Sequence, residues 1–163
     1  MVLFVVILIG DPGIAQHSDS LTLPPPQVLF GFSVGTSRSL DNSNAIGFTL
    51  GVTGDYRMAP HLFLHAQPLL AFVSYRESGQ AIESTELQLP LHLMVKVFDS
   101  KTKPILSAGP NYTIDLAANS PAWFADVALG LERELAFFTI SPALKYSYSN
   151  NRQFILASIA FKG

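Results

Sequence analysis

The chain of 163 residues contains no cysteine. That excludes disulfides, thiolate metal sites and lipid attachment through an N-terminal cysteine, and it says nothing against an oxidising compartment. Charge is scarce as well: Asp, Glu, Lys and Arg make up 13% of the residues and hydrophobic types 48%. A soluble domain carries about 25% charged residues, so these charges are too few to cover a water-facing surface comfortably. Net charge is −2 and the basic residues are scattered singly, which excludes a nucleic-acid footprint. No stretch shows a helical period of useful length.

The longest apolar run opens the chain, "MVLFVVILIGDPGIAQ". It is too short to span a bilayer and ends in small residues, with Gly13 and Ala15 at −3 and −1 of a cleavage before Gln16. Residues 1–15 are therefore expected to be a signal peptide that exports the protein. The basic n-region of such a leader is missing, the first Lys or Arg being Arg38, which leaves the true start open. Residues 16–27 read as a polar, proline-bearing linker, and residues 28–163 as a single domain.

In that domain the stretch "ELQLPLHLMVKVF", Glu86 to Phe98, separates at a period of two. Leu87, Leu89, Leu91, Leu93, Val95 and Val97 share one face; Glu86, Gln88, Pro90, His92, Met94 and Lys96 share the other. Strict alternation predicts a strand with one apolar face. Similar segments recur at Val28 to Gly35, Gly47 to Tyr56, Leu62 to Tyr75, Ile105 to Leu116, Trp123 to Glu132, Phe138 to Tyr148 and Phe154 to Phe161. With the stretch itself, starting near Thr85, they predict eight strands in an up-and-down meander. The third segment is apolar on both faces beyond Pro68 and cannot be oriented from its pattern.

Which face is inside follows from the residue types. The apolar face is uniformly bulky, whereas the other mixes glycine, small hydroxyls and single charges of both signs. A water-facing surface would favour long Lys and Glu side chains, and glycine weakens a strand there. An eight-stranded barrel, in contrast, leaves an interior just wide enough to fill with side chains, and tilted strands of about ten residues match an apolar band of about 25 Å. The expectation is an all-β, eight-stranded, antiparallel transmembrane barrel, with the leucines meeting lipid and Glu86, Lys96, Asp115, Asp126, Glu132 and Lys145 forming a charge network in the lumen. Turns near Arg57 to Pro60, Asp99 to Lys103 and Arg133 to Ala136 then lie on the periplasmic side with the linker and both termini. Loops at Ser37 to Ala45, Glu77 to Ser84, Ala117 to Pro121 and Asn150-Asn151 lie on the other. Pro68, Pro90, Pro110 and Pro142 fall inside these strands. A proline cannot donate to a ladder, so each should mark a bulge or a missing bond.

Three of those prolines, Pro90, Pro110 and Pro142, sit in recognisable surroundings. "ELQLPLHLMVKVF" followed by "KPILSAGPNYTIDLA" (Lys103 to Ala117) resembles the PorT-type outer-membrane barrel domain, with its Leu-Pro-Leu strand, short turn and Ala-Gly-Pro-Asn strand. "SPALKYSYS" (Ser141 to Ser149) is similar to that family's seventh strand. The resemblance implies an integral outer-membrane barrel and, through the founding member, a role in type IX protein secretion, with outer-membrane lipid and secretion-machinery proteins as partners. One departure is the C-terminal Lys162-Gly163 after Phe161; barrel-assembly signals place an aromatic at or near the last position.

Little else points to chemistry. His61 and His65 are spaced like a metal pair, but on a strand four residues span roughly 13 Å, too far for one ion. His92 falls on the lumen face between Glu86 and Lys96 and reads as a hydrogen-bonded lumen residue. Barrel enzymes that modify lipid use Ser, His and an acidic residue near the outer leaflet, and none of the four expected loops contains a histidine. The expectation is a protein without catalytic residues, cofactor, metal or small-molecule substrate. A structural or adhesive barrel of the OmpX kind is the alternative role, and a lipid-modifying enzyme the third. Tyr56, Tyr75, Tyr146, Tyr148 and Trp123 near strand ends suit aromatic girdles.

Overall fold

In hydrocarbon a backbone has no water to bond, so strands that cross a bilayer have to close on one another. The computed structural model describes residues 28–41, 45–77, 80–97, 100–150 and 152–163; the expected leader at 1–15 and linker at 16–27 lie outside the described residues. The strands are β1 (Val28–Ser39), β2 (Ile46–Ala59), β3 (Leu62–Ala66), β4 (Leu69–Glu77), β5 (Gln80–Lys96), β6 (Thr102–Asp115), β7 (Ser120–Glu134), β8 (Thr139–Tyr148) and β9 (Gln153–Lys162). β3 and β4 both lie between β2 and β5, so they are two halves of one stave and the barrel has eight staves. Every pairing is antiparallel between consecutive staves, and β1 closes the sheet by pairing with both β2 and β9.

The register fixes the shape. From Val28 the ladder passes through Tyr56, Leu64, Leu93, Ala108, Val127, Tyr146 and Ile155 and returns to β1 at Arg38, ten residues further along. For eight strands that stagger corresponds to a tilt of about 40°. Glycines on the inner face permit the close approach of neighbouring staves. A Cβ on Gly31 would stand 1.9 Å from the Phe161 carbonyl oxygen, and one on Gly109 would stand 2.1 Å from that of Leu91.

The prolines remove bonds without inserting residues. Across Pro68, the pairs Gly54↔Ala66 and Gly51↔Leu69 keep one register against β2, as do Ala66↔Leu91 and Leu69↔Gln88 against β5. The β5–β6 ladder skips from Pro90↔Asn111 to Leu93↔Ala108 around Pro110, and the β7–β8 ladder from Gly130↔Ala143 to Arg133↔Ile140 around Pro142. In both, the register after the gap is the register before it. A shift of register is recorded at Arg57/Ala59, beside the turn into β3.

β2–β3, β5–β6 and β7–β8 are joined at the end that also holds Val28 and Gly163, called here the turn end; the other four connections make the loop end. Of the expected loops, Glu77 to Ser84 is mostly strand: Glu77 pairs with Gln80, so the hairpin is tighter than the sequence pattern indicated. Asn119 takes up the reversal between β6 and β7 with φ of 49°, a left-handed conformation in which Asn is enriched.

Burial puts the hydrophobic residues outside. In β5, Leu89, Leu91, Leu93 and Val95 are between 39% and 54% exposed, while Glu86, Gln88, His92, Met94 and Lys96 are 4% exposed or less. The same inversion holds in β2, where Phe48, Leu50 and Val52 are exposed and Thr49, Thr53 and Asp55 are buried. β4 is the stave with an apolar inner face, Leu69 and Ala71 being buried against the lumen, which is why its pattern could not be oriented. Aromatic side chains gather outside near both ends. Phe32 stacks on Phe161 with ring centroids 5.0 Å apart toward the turn end, and Tyr112 packs on Trp123 at 4.8 Å toward the loop end.

Leu91→Arg, in the middle of the outer face, is expected to cost about 2–4 kcal/mol in bilayers, measured by denaturant unfolding in lipid vesicles. The parent protein should run with different mobility unboiled and boiled on a denaturing gel; unchanged mobility together with partition into the soluble fraction would contradict a membrane barrel.

Candidate functional site

A polar group taken out of water has to find a partner, and the inward-facing residues of this barrel do so in three tiers. At the turn end, Lys96 Nζ donates to Glu132 Oε1 at 2.6 Å, and Lys162 Nζ donates to Asp55 Oδ2 at 2.6 Å and to Glu132 Oε2 at 3.2 Å. Ser141 Oγ also donates to Glu132 (3.3 Å), His65 Nδ1 lies 2.6 Å from Asp55 Oδ1, and Lys96 Nζ sits 4.2 Å from the centre of the Phe63 ring. Two lysines thus share two carboxylates from β2 and β7. This tier follows from the ladder: Lys162 pairs with Gly31 on β1, whose missing side chain leaves room for a long one.

In the middle tier, Lys145 Nζ forms an ion pair with Asp126 Oδ2 at 3.1 Å. His92 Nε2 lies 3.3 Å from the same oxygen, and Ser107 Oγ lies 3.4 Å from His92 Nδ1. The rings of His65 and His92 are 6.0 Å apart, because the two residues are cross-strand partners on β3 and β5. Ser107, His92 and Asp126 have the order of a nucleophile, base and orienting acid, but all three are buried in a lumen packed with side chains.

At the loop end, Arg152 Nη2 donates to Glu86 Oε1 at 2.8 Å and Gln88 Nε2 to Glu86 Oε2 at 3.4 Å. Phe124 and Phe154 pack edge to face, 5.2 Å apart, and Leu69, Ala71 and Leu156 are buried as well.

Of the six residues expected to form the lumen network, the structure brings Lys96 together with Glu132 and Lys145 with Asp126, and it sets Glu86 against Arg152. Asp115 stands apart from them. It ends β6, and its carboxylate accepts from Ser84 Oγ (2.7 Å) and from the N–H groups of Ala117 and Ala118 (2.9 Å each), so it caps the reversal into β7. Sequence reasoning left Asp55, Lys162, His65 and Arg152 out of the network. A signal for two of them was present: Asp55 shares the small, polar face of β2, and Lys162 has the opposite parity to Ile155, Ala157, Ile159 and Phe161. For Arg152, which sits between strands, no periodic signal exists.

An apolar outer wall, a charged and filled interior and eight staves closed with a ten-residue stagger define a small transmembrane-type β-barrel. Solved structures agree. The chain is similar to neisserial surface protein A, with 15% identity, 83% of this chain and 94% of that one covered and a TM-score of 0.54. It is similar to a de novo designed transmembrane β-barrel (16% identity, 87% and 100% covered, TM-score 0.52). It also resembles Ail, the attachment invasion locus protein of Yersinia pestis (10% identity, 84% and 95% covered, TM-score 0.51). At these identities the likeness is one of fold. No protein-family model and no curated protein matches the chain.

Removing one partner of a buried ion pair leaves a charge without compensation, at a cost of about 3–5 kcal/mol. Lys145→Met should therefore destabilise the barrel by that amount in denaturant unfolding, and adding Asp126→Leu should recover most of the loss. In planar bilayers the parent protein should give no persistent, porin-sized conductance.

Proposed function

We propose that this chain is an integral outer-membrane barrel without enzymatic activity, exported by its leader, that serves protein secretion through contacts at its rim. The observation that carries the membrane part is the inversion of burial along β5, with leucines out and Glu86, His92 and Lys96 in. Such a wall is stable only against lipid. The secretion part rests on the resemblance of the Leu89-Pro90-Leu91 and Ala108-Gly109-Pro110-Asn111 strands to the PorT-type family. The filled lumen is compatible with it: a barrel that passes nothing through itself has its two rims left for work. Connections at the loop end are short, β4 meeting β5 in a tight hairpin, which favours a component held among other proteins over one that reaches far from the membrane.

A structural or adhesive role is the second reading, favoured by the fold-level likeness to the attachment protein Ail. A lipid-modifying enzyme is the least supported. His65 and His92 face the filled lumen, and His61 lies at a turn, so among the described residues no histidine is set at the loop end for a base. Deleting the gene and cataloguing the secreted proteins separates the readings. Retention of a class of cargo in the periplasm is the expected result; normal export with altered adhesion or envelope integrity would replace it with the structural reading.

A further inference from the structure

Between the turn-end and middle tiers the lumen leaves a cavity of about 40 Å³. A water-sized occupant needs roughly 10–15 Å³ of such space, so the cavity can hold a few waters or one small ion. Its polar wall is one-sided. Lys145, Lys162, His65, His92, Gln67 and Ser107 line it, with Ser141 and Ser158, and among the described residues no carboxylate does. Asp126 contacts Lys145, and Asp55 and Glu132 contact Lys162, from outside this wall. Each polar group in the wall is able to present an N–H or O–H to the space between them.

A second observation singles out one of those groups. Lys145 is 3% exposed and its ammonium meets Asp126 Oδ2 at 3.1 Å, with no second acceptor among the described residues. An ammonium has three protons to place, and a buried charged donor short of acceptors is among the costliest groups in a protein. The charges in the lumen also have a telling balance. Lys96, Lys145, Lys162 and Arg152 match Asp55, Asp126, Glu132 and Glu86 one for one, and the two histidines stand in addition. The rings of those two histidines are 6.0 Å apart and both line the cavity.

We propose that this cavity is a binding site for one small monovalent inorganic anion of the halide class, held by Lys145 with the neighbouring hydroxyl and ring N–H groups. Asp55 lies against the His65 ring, and Asp126 and Ser107 lie against that of His92. The carboxylates among them are already engaged by lysines. The proposal rests on the barrel and not on any role in secretion.

The test uses the purified, folded barrel crystallised in sodium bromide, with anomalous diffraction at the bromine edge. One anomalous peak within hydrogen-bond distance of Lys145 Nζ is expected, and it should vanish in Lys145→Gln/Asp126→Asn, a pair that keeps shape and neutrality. In parallel, the temperature at which the barrel loses its unboiled gel mobility should rise severalfold more in chloride or bromide than in gluconate of equal ionic strength. That difference should be absent in the double variant. Density that refines as water alone, or bromide at the protein surface only, would overturn the proposal. So would a thermal shift indifferent to the anion.

Discussion

Charge balance in a narrow, water-poor column is the constraint on which the rest of this barrel depends. Eight staves with this stagger leave an interior that side chains fill, and four cations have to meet four carboxylates inside it. Asp55 and Glu132 come from different staves, β2 and β7, and are bridged by Lys162 on β9. The network therefore ties together strands that share no ladder, and correct pairing requires correct closure. A slip of register by one residue would carry every one of these charges to the lipid face, at a cost no part of the apolar wall could offset. The interior is thus a lock on register as much as a filling.

The outer wall supplies the driving force and the interior the specificity. Leucines and valines along β5 meet hydrocarbon with no need of partners, and aromatic rings near both ends suit the interfacial zones of a bilayer. The four interior prolines cost ladder bonds at positions where the register holds on either side. That loss is tolerable because the chain on both sides remains paired and closure prevents the gap from spreading.

Much of this was legible in the sequence, and the illegible parts have physical reasons. The alternation in Glu86 to Phe98 fixed both the strand and its two faces, and the small residues opposite the leucines told which face was inside. Pattern failed for the third stave because Leu69 and Ala71, on its inward face, are themselves apolar and buried; an interior that is partly apolar erases the contrast that alternation relies on. It overreached at Asp115, which has inward parity but ends its strand, so that its carboxylate is taken by backbone N–H groups of the turn. Pairings such as His65 with His92 and Lys162 with Asp55 depend on the register between distant segments. No spacing along the chain encodes that register.

The inside-out assignment of β5 is tested most directly by spin labelling, which a chain without cysteine makes simple. Single cysteines introduced one at a time from Glu86 to Val97, labelled and reconstituted in lipid vesicles, would report accessibility to oxygen and to a water-soluble nickel chelate. The account predicts an oxygen signal with a period of two, high at Leu87, Leu89, Leu91, Leu93, Val95 and Val97 and low at the residues between them. High accessibility to the nickel chelate at the even-numbered positions, with the leucines shielded from both reagents, would show that the leucine face is a core and would contradict the membrane barrel.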